Sequence, residues 1–292
     1  MATVKALACE LPARREQPLS RYSTADLVRY IEAQPAAPAL SASTIWRILD
    51  QDALKPWRHR SWITPRDPDF AAKAGRVLDL YAGRWEGRPL APADCVLSAD
   101  EKTSIQARVR CAPATPPRPG APRQVEHEYD RGGALAYLAA WDVRRGGASG
   151  RCEATTGIEP FGRLVEQAMS QEPYRSAPRA FWIVDNGSSH RGETAARRLQ
   201  ARYPHLILVH LPTHASWLNQ IELFFSIVQR KVLTPNDFPD LAAVERRLLA
   251  FEARYNDTAA PFHWRFTRAD LARRLLQLPA TLGPAEPVPE AA

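Results

Sequence analysis

Three acidic residues occupy positions that suit a catalytic site. Asp100 follows the apolar run 95–99, Asp185 follows the apolar run 181–184, and Glu222 lies within SWLNQIELFFSIVQRK. The two runs predict strands, and acids at strand ends lie outside the sheet, where α/β folds build their sites. A carboxylate beside such apolar sequence is costly to solvate and needs a partner, for which a metal ion is one candidate.

The chemistry that suits three carboxylates is phosphoryl transfer assisted by two Mg²⁺ ions. Magnesium prefers oxygen ligands, and two ions about 3.5–4 Å apart can bind one phosphate between them. One ion lowers the pKa of the attacking water or 3′-hydroxyl, and the other stabilises the leaving oxygen. Such a site needs no nucleophilic side chain. Many α/β enzymes carry strand-end acids, however, so the spacing alone leaves other enzyme classes open.

The segment around Glu222 has the spacing of an amphipathic helix. One face carries the apolar residues, which are Trp217, Ile221, Phe224 and Val228. A polar stripe beside that face carries Asn219, Glu222, Ser226 and Gln229. We therefore expect Trp217 to lie in the core and Glu222 to point from a packed helix toward a polar site.

The elements that must position these acids alternate in type. Apolar runs predict strands at 95–99, 135–143, 181–184 and 206–211. Helical spacing predicts helices at 161–169, 193–202, 216–231 and 241–255. Strands followed by alternating strands and helices indicate a mixed α/β sheet with helices on its faces. The proline-rich segment 111–123 is expected to form a loop that leaves the sheet edge.

The first 62 residues have helical patterning. Ser23 can cap a helix over 25–31, and Ser41 or Ser43 can cap a second helix over 44–50. Two short helices with a tight break suggest a helix-turn-helix, although an ordinary helical hairpin has the same spacing. A further helix is expected from about Asp69 to Trp85, before a proline-rich joint at 88–92.

Basic residues near these helices suggest DNA binding. Lys55, Arg58 and Arg60 lie among Trp57, His59 and Trp62 with no acidic residue between them. Positive charge attracts phosphates, and flat aromatic rings can pack on sugars or bases. We expect these three cations to contact phosphates and Arg47, on the exposed side of the second helix, to reach a base edge or a phosphate. The alternative is a solvated linker with two anchoring tryptophans.

Composition sets broader bounds. The 292 residues include 39 Lys plus Arg and 32 Asp plus Glu, a net charge of +7 that favours a polyanionic partner. Residues 1–15 hold no apolar run long enough for a secretory signal, and the longest apolar stretch, 134–141, is far short of a membrane span. The four cysteines form no CxxC pair and indicate reduced cytosolic thiols. We expect a cytoplasmic protein without a membrane partner.

Three blocks of sequence resemble one known family. LSADEKTSIQA, FWIVDNGSSHRG and HLPTHASWLNQIELFFSIVQRKVLTPNDF are similar to the motif blocks of bacterial insertion-sequence transposases in the mariner-like DDE group. The likeness covers roughly residues 20–276, and the block around Glu222 is its most specific part. By this resemblance, Asp100, Asp185 and Glu222 match the family's three metal-binding acids, and the catalytic domain has a ribonuclease-H-like fold.

The resemblance also implies an activity and its partners. A DDE transposase cleaves DNA strands and transfers them with Mg²⁺, for which Mn²⁺ can substitute. Its partners are double-stranded DNA, both the terminal inverted repeats and the target, and a second copy of itself in the DNA complex. The bacterial protein would be cytoplasmic and associated with the nucleoid when bound. A non-catalytic DNA-binding remnant or repressor, another ribonuclease-H-like nuclease and a metal-dependent phosphatase remain alternatives.

Neighbours of the acids are candidates for supporting roles. Asn186 and His190 follow Asp185 and could touch a phosphate or water, although such residues often cap backbone groups. Asn219 precedes Glu222 by one helical turn and could orient it or contact DNA. Glu101 should point to the opposite face of its strand from Asp100, since side chains alternate along a strand.

The sequence divides into four predicted parts. They are a helix-turn-helix segment (1–62), a linker with a helix (63–93), a DDE catalytic domain (94–276) and a Pro/Ala-rich tail (277–292). Members of the group usually begin with two helix-turn-helix units, and the segment here resembles the second. We therefore expect the first unit to be missing and recognition of the element's ends to be weak.

Overall fold

The computed structural model describes residues 1–34, 39–59, 65–187 and 193–277, with the side chains of 193–196 left aside. Contacts within the chain divide it into two compact units, Met1–Ile63 and Thr64–Ala292. The four-part division from the sequence stays a prediction, and its tail from residue 278 onward lies outside the described residues.

The described residues of the first unit form three α-helices, α1 (Ala2–Ala8), α2 (Thr24–Glu32) and α3 (Ala42–Asp50), and one 3₁₀ turn, Pro12–Arg15. Ser23 begins α2, where its side chain accepts a hydrogen bond from the Asp26 main-chain nitrogen at 3.2 Å. Ser41 begins α3 by accepting from the Thr44 nitrogen at 3.2 Å. A side-chain oxygen at each position satisfies a main-chain N–H that the helix leaves unpaired, which is why both helices start there.

The first unit has a small core of its own. Apolar residues on the inner faces of all three helices are almost fully buried: Val4, Leu7, Leu27, Ile31, Ile45, Ile48 and Leu49. The inward position of the α3 residues agrees with the helical spacing of the sequence. Helix α1 has no counterpart among the predicted elements, and the helix-turn-helix interpretation of α2 and α3 stays a prediction.

The second unit is built on a five-stranded sheet. Its elements are α4 (Phe70–Tyr81), β1 (Arg84–Trp85), β2 (Arg88–Pro89), β3 (Cys95–Arg110), β4 (Tyr129–Asp142), β5 (Ala148–Glu153), α5 (Ile158–Met169), β6 (Ala180–Val184), α6 (Glu193–Arg202), β7 (Leu206–His210), α7 (Ile221–Lys231), α8 (Leu241–Asn256) and α9 (Arg268–Leu276). The strand order is β5-β4-β3-β6-β7. Strands β3, β4 and β5 pair antiparallel, whereas β6 and β7 continue parallel to β3. The predicted mixed sheet is confirmed.

Helices cover both faces of this sheet because the strand side chains alternate between two cores. On one face, Val96, Phe181 and Ile183 pack in a core with α4, α7, α8 and α9. On the other face, Leu97 and Trp182 pack in a core with α5 and α6. A residue's parity along β6, or along β3 up to Lys102, therefore decides which helices it meets; beyond the irregularity between Lys102 and Ile105 the alternation reverses, so that Ile105 and Ala107 lie in the same core as Val96.

Helix α7 is fixed to the sheet by aromatic packing. Phe224 is fully buried and stacks on Trp141 of β4 with ring centroids 5.9 Å apart. Phe262 stacks on the same indole at 4.2 Å. The hydroxyl of Tyr81 donates to the carbonyl of Leu218 at 2.7 Å, which anchors the turn before α7 to α4. The start of α7 is thus held from two sides.

Several element bounds differ from those predicted. Strand β3 continues to Arg110 rather than ending at Ala99, because β4 pairs with it along almost its whole length. Helix α4 ends at Tyr81 rather than near Trp85, since Gly83 adopts a left-handed backbone (φ 72) that leads into the β1–β2 hairpin. Strand β5 and helix α9 were not predicted.

Within the described part of the chain, one side of β3 has no neighbouring strand beyond the first few residues. The pairing of β3 with β6 ends at Ser98. Farther along, the side chain of Asn236 takes the place of a strand. Its Oδ1 accepts from the Arg108 nitrogen at 3.1 Å, and its Nδ2 donates to the Gln106 carbonyl at 2.6 Å. The segment after α7 therefore covers this edge.

None of the helices in the described parts of the chain is both long and apolar enough to cross a membrane.

Candidate active site

The register of the two central parallel strands places Asp100 and Asp185 side by side. The last paired residues of β3 and β6 are Ser98 and Ile183, and each acid lies two positions farther along its strand. Adjacent strands are about 4.7–4.9 Å apart. Since Val96 and Ile183 face α7, the alternation of side chains places both carboxylates on the α7 face of the sheet.

Glu222 reaches the same face from above the sheet. It is the second residue of α7, whose buried residues, Ile221, Phe224, Phe225 and Val228, pack into the core on that face. Glu222 itself is exposed. All three acids predicted from the sequence therefore lie on one side of the sheet, although they come from three separate elements.

The electrostatics of Asp100 show that the other two acids influence it. The pKa of Asp100 is raised to about 7, mainly by burial and in smaller part by the charges of Asp185, Glu101 and Glu222. The Glu101 main-chain nitrogen, which donates to Asp100 Oδ1 at 2.8 Å, opposes this rise in pKa. Burial is the largest cause, and repulsion from the neighbouring carboxylates adds to it, as expected where anions share a site.

The two aspartates each keep one carboxylate oxygen on the main chain. Asp185 Oδ1 accepts from the Gly187 nitrogen at 2.7 Å, as Asp100 Oδ1 does from Glu101. Within the described part of the chain, no group of three His, Cys, Asp or Glu side chains has the geometry to hold a metal ion. The three carboxylates nevertheless fit Mg²⁺ chemically, because this ion prefers hard oxygen ligands. Their negative charges raise the pKa of Asp100, and a bound cation would neutralise those charges.

A buried polar network joins the first acid to the start of α7. Asn219 is 1% exposed, and its Nδ2 donates to the Ala99 carbonyl at 3.1 Å and lies 3.4 Å from Asp100 Oδ2. The Ser98 hydroxyl donates to Asn219 Oδ1 and accepts from the Ile221 nitrogen at 3.1 Å. The sequence suggested that Asn219 orients Glu222. In the structure its amide lies against Asp100 instead.

The role of Ser98 was not predicted from the sequence. It is fully buried within β3 and holds both Asn219 and the first residue of α7. A hydroxyl inside the otherwise apolar run CVLSA was the signal that could have found it, because a buried hydroxyl requires hydrogen-bond partners.

Asn186 and His190 are the two candidates that follow Asp185. The Asn186 side chain donates to the Leu211 carbonyl at 2.5 Å and so ties the end of β6 to the end of β7. This bond is the backbone-capping role that the sequence offered as its alternative. His190 lies outside the described residues.

Trp217 does not belong to the core, contrary to the sequence prediction. The helix begins at Ile221, and Trp217 lies in a preceding 3₁₀ turn, Ser216–Leu218. Asn219 has an extended backbone (φ −79, ψ 111) that breaks the helical phase between the two segments. The indole is 49% exposed and meets Phe266 edge-on, with ring centroids 5.4 Å apart.

The basic residues predicted for DNA binding are exposed where they are described. Arg47 projects from α3, where its Nε donates to the Ser43 carbonyl at 3.3 Å. Lys55 and Arg58 line one open hollow of about 790 Å³. The other residues of that hollow are Arg21, Ala53, Trp57 and His59. Arg47 is not among them, and Arg60 lies outside the described residues.

Comparisons with known proteins agree with this arrangement. A family model described as DDE superfamily endonuclease matches residues 95–245, which contain all three acids. No curated protein matches the chain in sequence.

Three solved structures share the fold. The Mos1 transposase paired-end complex with left transposon end aligns with a TM-score of 0.56 and 16% identity, over 93% of this chain and 75% of that one. The Mos1 strand transfer complex aligns with a TM-score of 0.54 and 15% identity, over 94% of this chain and 75% of that one. The mariner Mos1 paired end complex with Mg aligns with a TM-score of 0.52 and 15% identity, over 89% of this chain and 80% of that one.

The fold is therefore the ribonuclease-H-like fold of transposase catalytic domains, as the sequence predicted. The family match covers more than half of the 292 residues and includes the strands and the helix that carry the acids. The chain belongs to the DDE superfamily endonuclease family.

Proposed function

We propose that this protein is a transposase that cleaves DNA and transfers the resulting strand ends by metal-dependent phosphoryl transfer. The observation that carries the proposal is the register of β3 and β6, which brings Asp100 and Asp185 side by side on the face that α7 covers with Glu222. These three residues are the proposed ligands of two Mg²⁺ ions, with Mn²⁺ as a substitute. The source would be a bacterial insertion sequence, and the protein would act in the cytoplasm at the nucleoid.

The roles of the side chains follow from their surroundings. When bound, two Mg²⁺ ions would supply the positive charge that activates a water or 3′-hydroxyl and stabilises the leaving oxygen. Asp100 would be one of the carboxylates that hold the ions, and it must lose its proton to serve, since its pKa lies at about 7. Asn219 keeps this carboxylate oriented, and Gly187 holds one oxygen of Asp185.

DNA is the proposed substrate of this site. The Mos1 structures with the same fold are complexes of transposon ends and of strand transfer. The net charge of +7 and the exposed cations Arg47, Lys55 and Arg58 favour a polyanionic partner. We propose that the partners are the terminal inverted repeats, the target DNA and a second copy of this chain.

A nicking assay tests the activity. The full chain is incubated with supercoiled plasmid, and with a labelled duplex carrying a pre-cut 3′ end, in Mg²⁺ or Mn²⁺. We expect wild-type protein to nick and to join strands, and Asp100→Asn, Asp185→Asn and Glu222→Gln each to lose both activities by at least about a hundredfold. Glu101→Gln is the matched control, because its carboxylate is adjacent to Asp100 but faces the opposite core.

The same variants are examined for metal binding without turnover. Mn²⁺ should raise the melting temperature of the wild-type protein and of Glu101→Gln but not of Asp100→Asn. DNA binding without cleavage and without this rise would identify a non-catalytic DNA-binding remnant or repressor. Hydrolysis without strand joining would identify a nuclease of the same fold.

A further inference from the structure

A basic cleft adjoins the candidate active site. It has a volume of about 430 Å³ and lies between the distal half of β3 and the segment that follows α7. Its polar lining includes Lys102, Arg108, Arg110, Gln229 and Asn236.

The cleft begins at the acids and leads away from them. Lys102 lies two residues beyond Asp100 on β3, and so on the same side of the strand. Gln229 lies seven residues beyond Glu222 on α7, which is two helical turns along the same stripe. At a rise of 1.5 Å per residue, the cleft reaches about 10 Å from Glu222 along the helix.

The cations of the cleft are not neutralised by acids. No carboxylate of the described residues lies within ion-pair distance of Lys102, Arg108 or Arg110. The guanidinium groups of Arg108 and Arg110 both pack on the ring of Tyr129, at 4.6 and 5.0 Å from its centroid. Two like charges on one ring are held close together, which concentrates positive potential in the cleft.

The two arginines differ in what their side chains already bind. Arg110 donates to main-chain carbonyls, including those of Asn236 at 2.8 Å and Glu126 at 2.6 Å. Among the described residues, the side chain of Arg108 makes no hydrogen bond, and its Nε is buried without a partner. The side chain of Arg110 therefore holds the main chain that lines the cleft, whereas the guanidinium of Arg108 has donors available to bind another group.

We propose that this cleft binds backbone phosphates of the DNA strand that is cut, about three nucleotides from the scissile phosphate. The inference rests on the proposed function, because it assumes that DNA occupies the acid site. For a duplex whose axis runs along α7, one strand advances about 3.4 Å per nucleotide along that axis, so the 10 Å between Glu222 and Gln229 corresponds to about three steps. Lys102 lies nearest the acids and Arg108 farther along the cleft.

A scan with neutral phosphates tests this assignment. Single methylphosphonates replace successive phosphates on the cut strand of a labelled duplex, and the affinity of the full chain is measured for each. We expect a loss of about tenfold at one or two positions two to four nucleotides from the cut. Arg108→Gln should bind the unmodified duplex about tenfold more weakly and show no further loss at those positions.

Salt dependence gives a second measure of the same contact. Each lost phosphate contact should lower the slope of log affinity against log salt by about 0.9. Lys102→Gln repeats the test should Arg108→Gln fold poorly, because the Lys102 side chain bonds to no other described residue. Arg175→Gln is the control, since Arg175 is an exposed arginine at the opposite end of β6 and should keep the wild-type slope.

The outcomes separate this proposal from the function it rests on. If wild-type protein cuts DNA but Arg108→Gln and Lys102→Gln keep its methylphosphonate pattern and salt slope, the cleft proposal is overturned and the function stands. If the wild-type chain neither binds nor cuts DNA, both are overturned.

Discussion

The side-chain amide of Asn219 lies 3.4 Å from the Asp100 carboxylate, while the same nitrogen donates to the Ala99 carbonyl at 3.1 Å. Asn219 also accepts from Ser98, which in turn bonds the first residue of α7. One buried amide therefore sets the position of the strand that carries the first acid relative to the helix that carries the third.

We expect Asn219→Ala to lower cleavage by about 10–100-fold, as loss of residues that orient metal ligands commonly does. It should also cost about 1–3 kcal/mol of unfolding free energy, because Ser98 loses its acceptor in a buried place. A donor to a carboxylate favours its charged form, so we expect loss of the amide to move the acid limb of the pH–rate profile to higher pH.

The control for Asn219 is Asn256→Ala. Asn256 bonds the main chain of Ala148 in both directions, at 2.8 and 2.7 Å, away from the three acids. It should destabilise the protein without moving the acid limb. An unshifted limb in Asn219→Ala would leave Asn219 with a structural role only.

Gly187 has no room for a side chain. A Cβ at this position would lie 2.8 Å from Asp185 Oδ1, closer than carbon and oxygen atoms approach without a bond. Gly187→Ala should therefore displace the Asp185 carboxylate and reduce cleavage by at least about tenfold, while the melting temperature changes by no more than a few degrees. Gly162→Ala is the control, because a Cβ there meets no atom within 4 Å and should leave cleavage unchanged. Equal rates in the two variants would contradict this prediction.

The raised pKa of Asp100 makes stability depend on pH in the absence of metal. The folded protein binds this proton up to about pH 7, whereas the unfolded chain releases it near pH 4, so stability falls as the pH rises between these values. Asp100→Asn removes the penalty and should be the more stable protein at pH 8, by up to about 4 kcal/mol, with no difference below about pH 4.

Urea unfolding of both proteins from pH 4 to 8 measures this difference. Glu252, whose pKa burial also raises to about 7, contributes equally to both proteins and cancels in the comparison. Since metal ligands must be deprotonated, Mg²⁺ affinity should fall as the pH drops below about 7. A wild-type protein that is the more stable of the two at pH 8 would show that Asp100 carries no such penalty.

DNA binding by the first unit should depend on salt through its exposed cations. Lys55→Ala and Arg58→Ala should each lower the salt slope of log affinity by about 0.9, if each residue contacts one phosphate. Filter binding at several salt concentrations gives the slopes. Lys5→Ala is a suitable comparison, since Lys5 is paired with Asp52 at 2.7 Å and should change the slope little. Unchanged slopes in all variants would place the basic patch in solvent.

The acids could be predicted from the sequence because their surroundings are local. A run of five residues, apolar except for Ser98 in the first run, directly precedes each of Asp100 and Asp185 and predicts a buried strand, and parallel strands bring their ends together. The helix N-caps Ser23 and Ser41 could also be predicted from the sequence, since a cap depends on residues only three positions apart.

The parts that could not be predicted depend on distant partners. The polar half of β3 is a strand because β4 pairs with it, and nothing within residues 101–110 requires that conformation. Trp217 has the right spacing for the α7 face, but Tyr81 holds the turn before the helix and puts it out of phase. The cleft beside the acids likewise joins β3 to a segment more than 100 residues later.

The covering of the β3 edge by Asn236 has a consequence for solubility. An uncovered edge offers unpaired main-chain amides to other molecules and can seed growth of a sheet from one copy to the next. In Asn236→Ala, the Arg108 nitrogen and the Gln106 carbonyl would lose their partners while β4 still held the strand extended. The side-chain amide of Asn236 is therefore expected to protect the protein from aggregation. Light scattering at rising protein concentration should reveal self-association of Asn236→Ala at concentrations where the wild-type chain stays dispersed.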